Sequence, residues 1–90
     1  MDTVEPVRAY GEADLAGFLL YVVRALVDRP DDVRIEDSQT GSVTTYGIAV
    51  AGEDIGKVIG RHGRVAQSLR SVSKALAGRD HRRVFVDILD

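Results

Sequence analysis

The chain has 90 residues, enough for one domain, and its 44% hydrophobic residues can fill one core; at this size roughly 60–65% of the unfolded surface is buried, so moderate stability is expected. It contains no cysteine and no tryptophan, which excludes disulfides, thiol catalysis and cysteine-based zinc sites. The net charge is −2, the opening Met1-Asp2-Thr3-Val4-Glu5 lacks a basic secretory start, and the longest apolar stretch, Leu15 to Val27, is broken by Arg24; a soluble cytoplasmic protein is expected.

Residues 1–11 show no period and include Pro6 and Gly11, so a flexible tail is expected there, followed by a single domain over 12–90. From Glu12, residues Leu15, Phe18/Leu19, Val22/Val23 and Leu26 recur at helical spacing. Pro30 is expected to stop this 12–29 helix by barring Arg29 from helical geometry. Leu20, Tyr21 and Val27 fall beside the main stripe, which leaves two explanations open: the domain wraps the helix widely, or one strip meets another chain. Val33 and Ile35 alternate with Arg34 and Glu36, the mark of a strand with one buried face, and Ser38-Gln39-Thr40-Gly41-Ser42 reads as its turn. Val43 to Val50 forms a second strand, with Tyr46, Ile48 and Val50 on one face, and the short connection makes an antiparallel hairpin.

Glu53 and Asp54 then sit where a helix N-terminus favours negative charge. Ile55, Val58 and Ile59 give a helix of barely two turns, ended by Gly60. A longer helix is expected from Gly63 to Ala77, with Val65, Leu69, Val72 and Leu76 inward and Gly78 as its stop. Val84, Val86 and Ile88 alternate through a third strand. The order α-β-β-α-α-β joins the second and third strands through a helix pair, so these two should lie parallel. The economical packing is an α+β domain whose three-stranded mixed sheet carries three helices on one face.

Charge is segregated along the chain. Residues 1–54 hold four basic and eleven acidic side chains, whereas residues 56–83 hold Lys57, Arg61, Arg64, Arg70, Lys74, Arg79, Arg82 and Arg83 against Asp80 alone. Such a division creates a local positive field in an acidic molecule. The enzyme classes fail. Gly52 to Lys57 is one residue short of a phosphate-binding G-x-x-x-x-G-K, and Val58 has no hydroxyl for magnesium. His62 and His81 lie apart without a metal-binding cluster, and no serine sits in a nucleophile elbow. No catalytic residues, metal, cofactor or small-molecule substrate are expected.

The Gly60-Arg61-His62-Gly63 loop survives this scrutiny. A bare G-x-x-G carries little, because nine glycines occur in the chain; the setting supplies the meaning. A short loop between two helices points the next helix N-terminus outward, where free N–H groups and the dipole favour phosphate. Glycines at both ends allow a sharp turn and close approach of a sugar-phosphate backbone. Lys57 and Arg64 flank the basic tip formed by Arg61 and His62. Single-stranded nucleic acid, RNA first, is the ligand this arrangement suits.

The run Ile55-Gly56-Lys57-Val58-Ile59-Gly60-Arg61-His62-Gly63-Arg64-Val65 resembles the signature of KH domains, whose G-x-x-G loop clamps about four nucleotides. The helix-strand-strand lead-in matches the prokaryotic, type II order, and the resemblance covers residues 13–89. With its closing Val84-x-Val86-x-Ile88-Leu89-Asp90 strand, the chain is similar to the small bacterial KH proteins of the KhpA (YlqC-like) family. That resemblance implies broad binding of single-stranded RNA and a role as RNA chaperone or post-transcriptional regulator. It also implies a link to cell division and elongation, and pairing as a homodimer or with a larger KH-containing KhpB (Jag, EloR) partner. Carried over by position, Gly60, Arg61, His62 and Gly63 form the phosphate clamp, and Lys57, Ile59, Arg64 and Val65 line its approaches. Ala66 stands where many KH domains have a bulky aliphatic residue, which implies a shallower groove floor unless Val65 and Leu69 fill it. The alternative is a protein-interaction module, paired through the apolar helix 12–29, with little RNA binding of its own.

Overall fold

A computed structural model of the chain describes residues 12–78 and 83–89. The tail expected at 1–11, and Arg79, Asp80, His81 and Arg82, lie outside the described residues. The main elements are α1 (Glu12–Leu26), β1 (Arg34–Thr40), β2 (Val43–Ala49), α2 (Ile55–Ile59), α3 (Arg64–Gly78) and β3 (Arg83–Ile88). Single 3-10 turns occupy Pro30–Asp32, Gly52–Asp54 and Arg61–Gly63.

The sheet runs in the order β1-β2-β3, with β1 and β2 antiparallel and β2 and β3 parallel. This is the mixed sheet that the element order requires. Alternation decides which face is covered. Tyr46 opposes Val86, Ile48 opposes Ile88 and Thr44 opposes Val84, and these side chains face the helices. Phe85, on the other face, is half exposed. From α1, Leu15, Leu19 and Val23 enter the core at helical spacing, joined by Val27 just beyond its end, and Val58 enters from α2. Full burial of Leu19, Val23, Ile48 and Val58 contributes about 1.5–3 kcal/mol each.

Several boundaries and faces differ from the sequence reading. Helix α1 stops at Leu26, three residues short of Arg29. Pro30 instead opens a 3-10 turn, where its missing N–H costs nothing. The N–H groups of Asp28 and Arg29 are drawn off by the Asp54 carboxylate. Ser38, Gln39 and Thr40 are not turn residues: they pair with Thr45, Thr44 and Val43, leaving Gly41-Ser42 as a two-residue turn. Val33 is buried but precedes β1, and Val50 lies just beyond β2.

Helix α3 shows the largest difference. Its buried residues are Ala66, Leu69, Ser73 and Ala77, whereas Val72, expected inward, is 43% exposed and Val65 and Leu76 are only half-buried. Small residues let the helix lie close on the sheet, so the aliphatic stripe is rotated roughly a quarter turn away from it. Nor does the domain wrap α1 widely: Phe18, Tyr21 and Leu26 stay exposed. Among the described residues, no helix is long and apolar enough to cross a membrane.

Candidate nucleic-acid interface

The tip of the domain is built from two helices that cannot be one. Helix α2 ends when the Gly60 N–H closes on the Gly56 carbonyl at 2.9 Å. Gly60 then turns to φ 78, ψ 173, a region open essentially to glycine alone. A side chain there would also overlap Val65: an added Cβ would come within 2.9 Å of the Val65 backbone nitrogen. The first glycine is therefore fixed by conformation and by packing together.

Arg61–Gly63 makes one 3-10 turn in which His62 adopts φ 58, ψ 25, the left-handed region. His62 is the non-glycine residue with positive φ among the described residues. Gly63 follows at φ 74, and a Cβ there would point into open space. Positive φ at Gly60, His62 and Gly63 bends the backbone into a tight turn of the kind whose N–H groups can receive anions. The Gly63 N–H is spent on the Gly60 carbonyl at 3.1 Å and that of Arg64 on the Arg61 carbonyl. Among the described residues, the N–H groups of Arg61 and His62 make no such loop or cap bond. Directly behind them starts α3, 15 residues long, whose positive dipole end adds to the attraction for phosphate.

Arg61, His62 and Arg64 are exposed, and among the described residues none of them is paired with a carboxylate. Ile59 is 39% exposed beside them. Val65 is half-buried against Gly60. The structure thus brings together Ile59, the Gly60–Gly63 loop, Arg64 and Val65. Lys57 is the exception. Its ammonium lies 3.2 Å from Asp28 Oδ2 and 3.5 Å from Asp54 Oδ1, and its pKa is raised, chiefly by the hydrogen bond to Asp28. Ala66 is buried in the core, so it forms no groove floor.

Two residues escaped the sequence reading in their present roles. Asp54, read as a charge complementing a helix dipole, is wholly buried and makes no cap to its own helix. Burial pushes its carboxyl up, but the Asp28 and Arg29 N–H groups and the Lys57 ammonium outweigh that and leave it below the ordinary value. Arg70, counted only as one more cation, donates its Nε to the Val86 carbonyl on edge strand β3 at 3.1 Å. Between α1 and α3 lies an apolar cleft of about 340 Å³, lined by Phe18, Val22, Leu26, Val65, Leu69 and Val72, with Arg64 and Ser68. Val65, Leu69 and Val72, three of the α3 residues that sequence periodicity assigned to the core, form one wall of this cleft. Among the described residues, no cluster of His, Asp or Glu could hold a metal.

An α-β-β-α-α-β order, a mixed sheet with its helices on one face, and a glycine-bounded basic turn between α2 and α3 define a KH domain of type II. Residues 16–88 match the model of the KhpA/KhpB KH domain, and the chain belongs to that family. It is 46% identical to the RNA-binding protein KhpA of Leifsonia xyli, over 84% of this chain and 97% of that protein. Identity to the RNA-binding protein KhpA of Halalkalibacterium halodurans is also 46%, over 78% of this chain and 92% of that one. For its namesake in Chlamydia pneumoniae the figures are 40%, 81% and 94%. A crystal structure of Aquifex aeolicus Era bound to GDP and aluminium fluoride shares the fold, with a TM-score of 0.57 at 15% identity. The match covers 98% of this chain and 32% of that one.

Proposed function

We propose that this chain is a cytoplasmic single-stranded RNA-binding protein and not an enzyme, with residues 12–90 acting as one KH domain. Gly60, Arg61, His62 and Gly63 form the phosphate clamp, and Ile59, Arg64 and Val65 line its approaches. The observation that carries this reading is the loop itself: positive φ at Gly60, His62 and Gly63 opens a backbone concavity at the N-terminus of α3, with unpaired cations around it. Relatives named as RNA-binding proteins over most of their length support it. Few phosphates are touched, so binding falls with salt along a shallow slope, and a grip on backbone rather than bases suits an RNA chaperone or post-transcriptional regulator. Replacing Arg61 and His62 together by Asp keeps the fold and strongly weakens binding of a labelled oligoribonucleotide in a fluorescence-anisotropy titration; unchanged affinity refutes the clamp.

A second reading accompanies the first. The α1–α3 cleft exposes Phe18, Leu26 and Val72 side by side, a surface suited to another KH surface, whether a second copy or a larger KhpB-like partner. A single clamp binds weakly, and pairing two raises avidity without new RNA contacts.

A further inference from the structure

We infer that Lys57 serves RNA binding by position and not by contact: with Asp54 it latches the end of α1 to the start of α2 and so holds the first glycine of the clamp in place. The inference rests on the RNA-clamp reading and changes the role of one of its residues. Asp54 accepts the N–H groups of Asp28 at 3.3 Å and Arg29 at 3.0 Å, two backbone donors left behind after α1 ends at Leu26. Lys57 closes the arrangement by bridging Asp28 and Asp54. Beside it, Arg29 Nε donates to Glu53 Oε2 at 2.9 Å. Apart from the Lys57–Asp54 bridge itself, these links join residues 28–29 to residues 53–57.

Helix α2 has five residues, fewer than a helix needs to persist by itself, so its direction is imposed from outside. Wholly buried Val58 holds one side of it, and the Asp54–Lys57 latch holds its N-terminal end. Gly60 follows at once, tied back to Gly56, and any tilt of α2 is delivered to the clamp. A phosphate approaching the Lys57 ammonium would meet two carboxylates already bound there. Drawing the lysine away would strip the buried Asp54 carboxylate of its counter-charge, a costly state. Arg61 and Arg64 carry no such obligation among the described residues.

The test uses the full chain and a short fluorescein-labelled oligoribonucleotide, titrated by anisotropy across a salt series. Each phosphate neutralised on a single strand contributes about 0.7 to the slope of log affinity against log salt. Arg61→Gln should reduce the slope by about that amount. Lys57→Gln should weaken binding by about threefold or more, the low end of the cost of breaking a charge network, with the slope unchanged. Lys57→Arg, which can bridge the same carboxylates, should restore the affinity. Asp54→Asn should weaken binding although it removes a negative charge, the reverse of what simple electrostatics gives. A slope lowered by Lys57→Gln as much as by Arg61→Gln overturns the inference, and so does Lys57→Gln binding like the parent. Should Asp54→Asn fail to fold, the Lys57 slope alone decides. Should Arg61→Gln change neither affinity nor slope, the RNA-clamp reading itself fails, a result distinct from the other two.

Discussion

The two glycines of the clamp are interchangeable in a motif and unequal in the structure, which makes them the sharpest test of the geometry. At Gly60, alanine must enter a region of φ and ψ that only glycine occupies readily, at about 1–3 kcal/mol. Its Cβ must also displace Val65, since it would stand 2.8 Å from the Val65 Cβ; overpacking of this kind costs a further ~1–3 kcal/mol. At Gly63 only the positive φ of 74 opposes the change, because the Cβ meets nothing within 4 Å, and about 1–2 kcal/mol is expected. Urea unfolding followed by circular dichroism should therefore move the midpoint at least about twice as far for Gly60→Ala as for Gly63→Ala. RNA binding should separate the pair in the opposite sense per unit of stability lost. Under the proposed clamp, the Gly63→Ala methyl would stand in the path of the sugar-phosphate backbone, and a folded Gly63→Ala protein should lose about tenfold in affinity, or about 1.4 kcal/mol. Equal midpoint shifts, or a folded Gly63→Ala protein that binds RNA normally, would refute the reasoning.

Ser73 is wholly buried on α3, and its hydroxyl has no partner among the described residues; Ser73→Ala should raise stability by about 1 kcal/mol in a thermal melt. Asp54 has a lowered native pKa against an ordinary value of 3.8. Its stabilisation is therefore complete above that pH and lost as pH falls through the lower native value. The Asp54→Asn protein, followed by acid titration of its circular dichroism, should show a flatter decline in that window. Phe18→Asp places a charge on the apolar cleft and should shift the sedimentation coefficient from dimer to monomer without unfolding the domain; a parent protein that is already a monomer at high concentration counts against pairing through this face.

Element order, the hairpin and the glycine-bounded turn were legible because they depend largely on local signals. Alternation at Tyr46 and Ile48 and the glycines at 60 and 63 each act within a few residues, and the parallel β2–β3 pairing follows from the order of elements between them. What was not legible depends on partners distant in the chain. Asp54 reads as an N-terminal charge until Asp28 and Arg29, 26 and 25 residues away, present their N–H groups to it. Lys57 reads as a cation lining the approaches of the loop, and nothing local signals that its ammonium lies beside the Asp28 and Asp54 carboxylates. On α3, hydropathy picks out Val65, Val72 and Leu76, whereas close packing on the sheet selects Ala66, Ser73 and Ala77. Size outweighed hydropathy there, and one sequence contains both stripes with no local sign of which faces inward.

Val65 touches both of those stories. It is the side chain against which Gly60 turns, and it also lines the α1–α3 cleft with Phe18 and Leu26. A group that fills the cleft presses on one side of an isopropyl whose other side bounds the clamp. One side chain is thus shared by the Gly60 turn and the apolar surface behind it, so a change at Val65 reaches both at once.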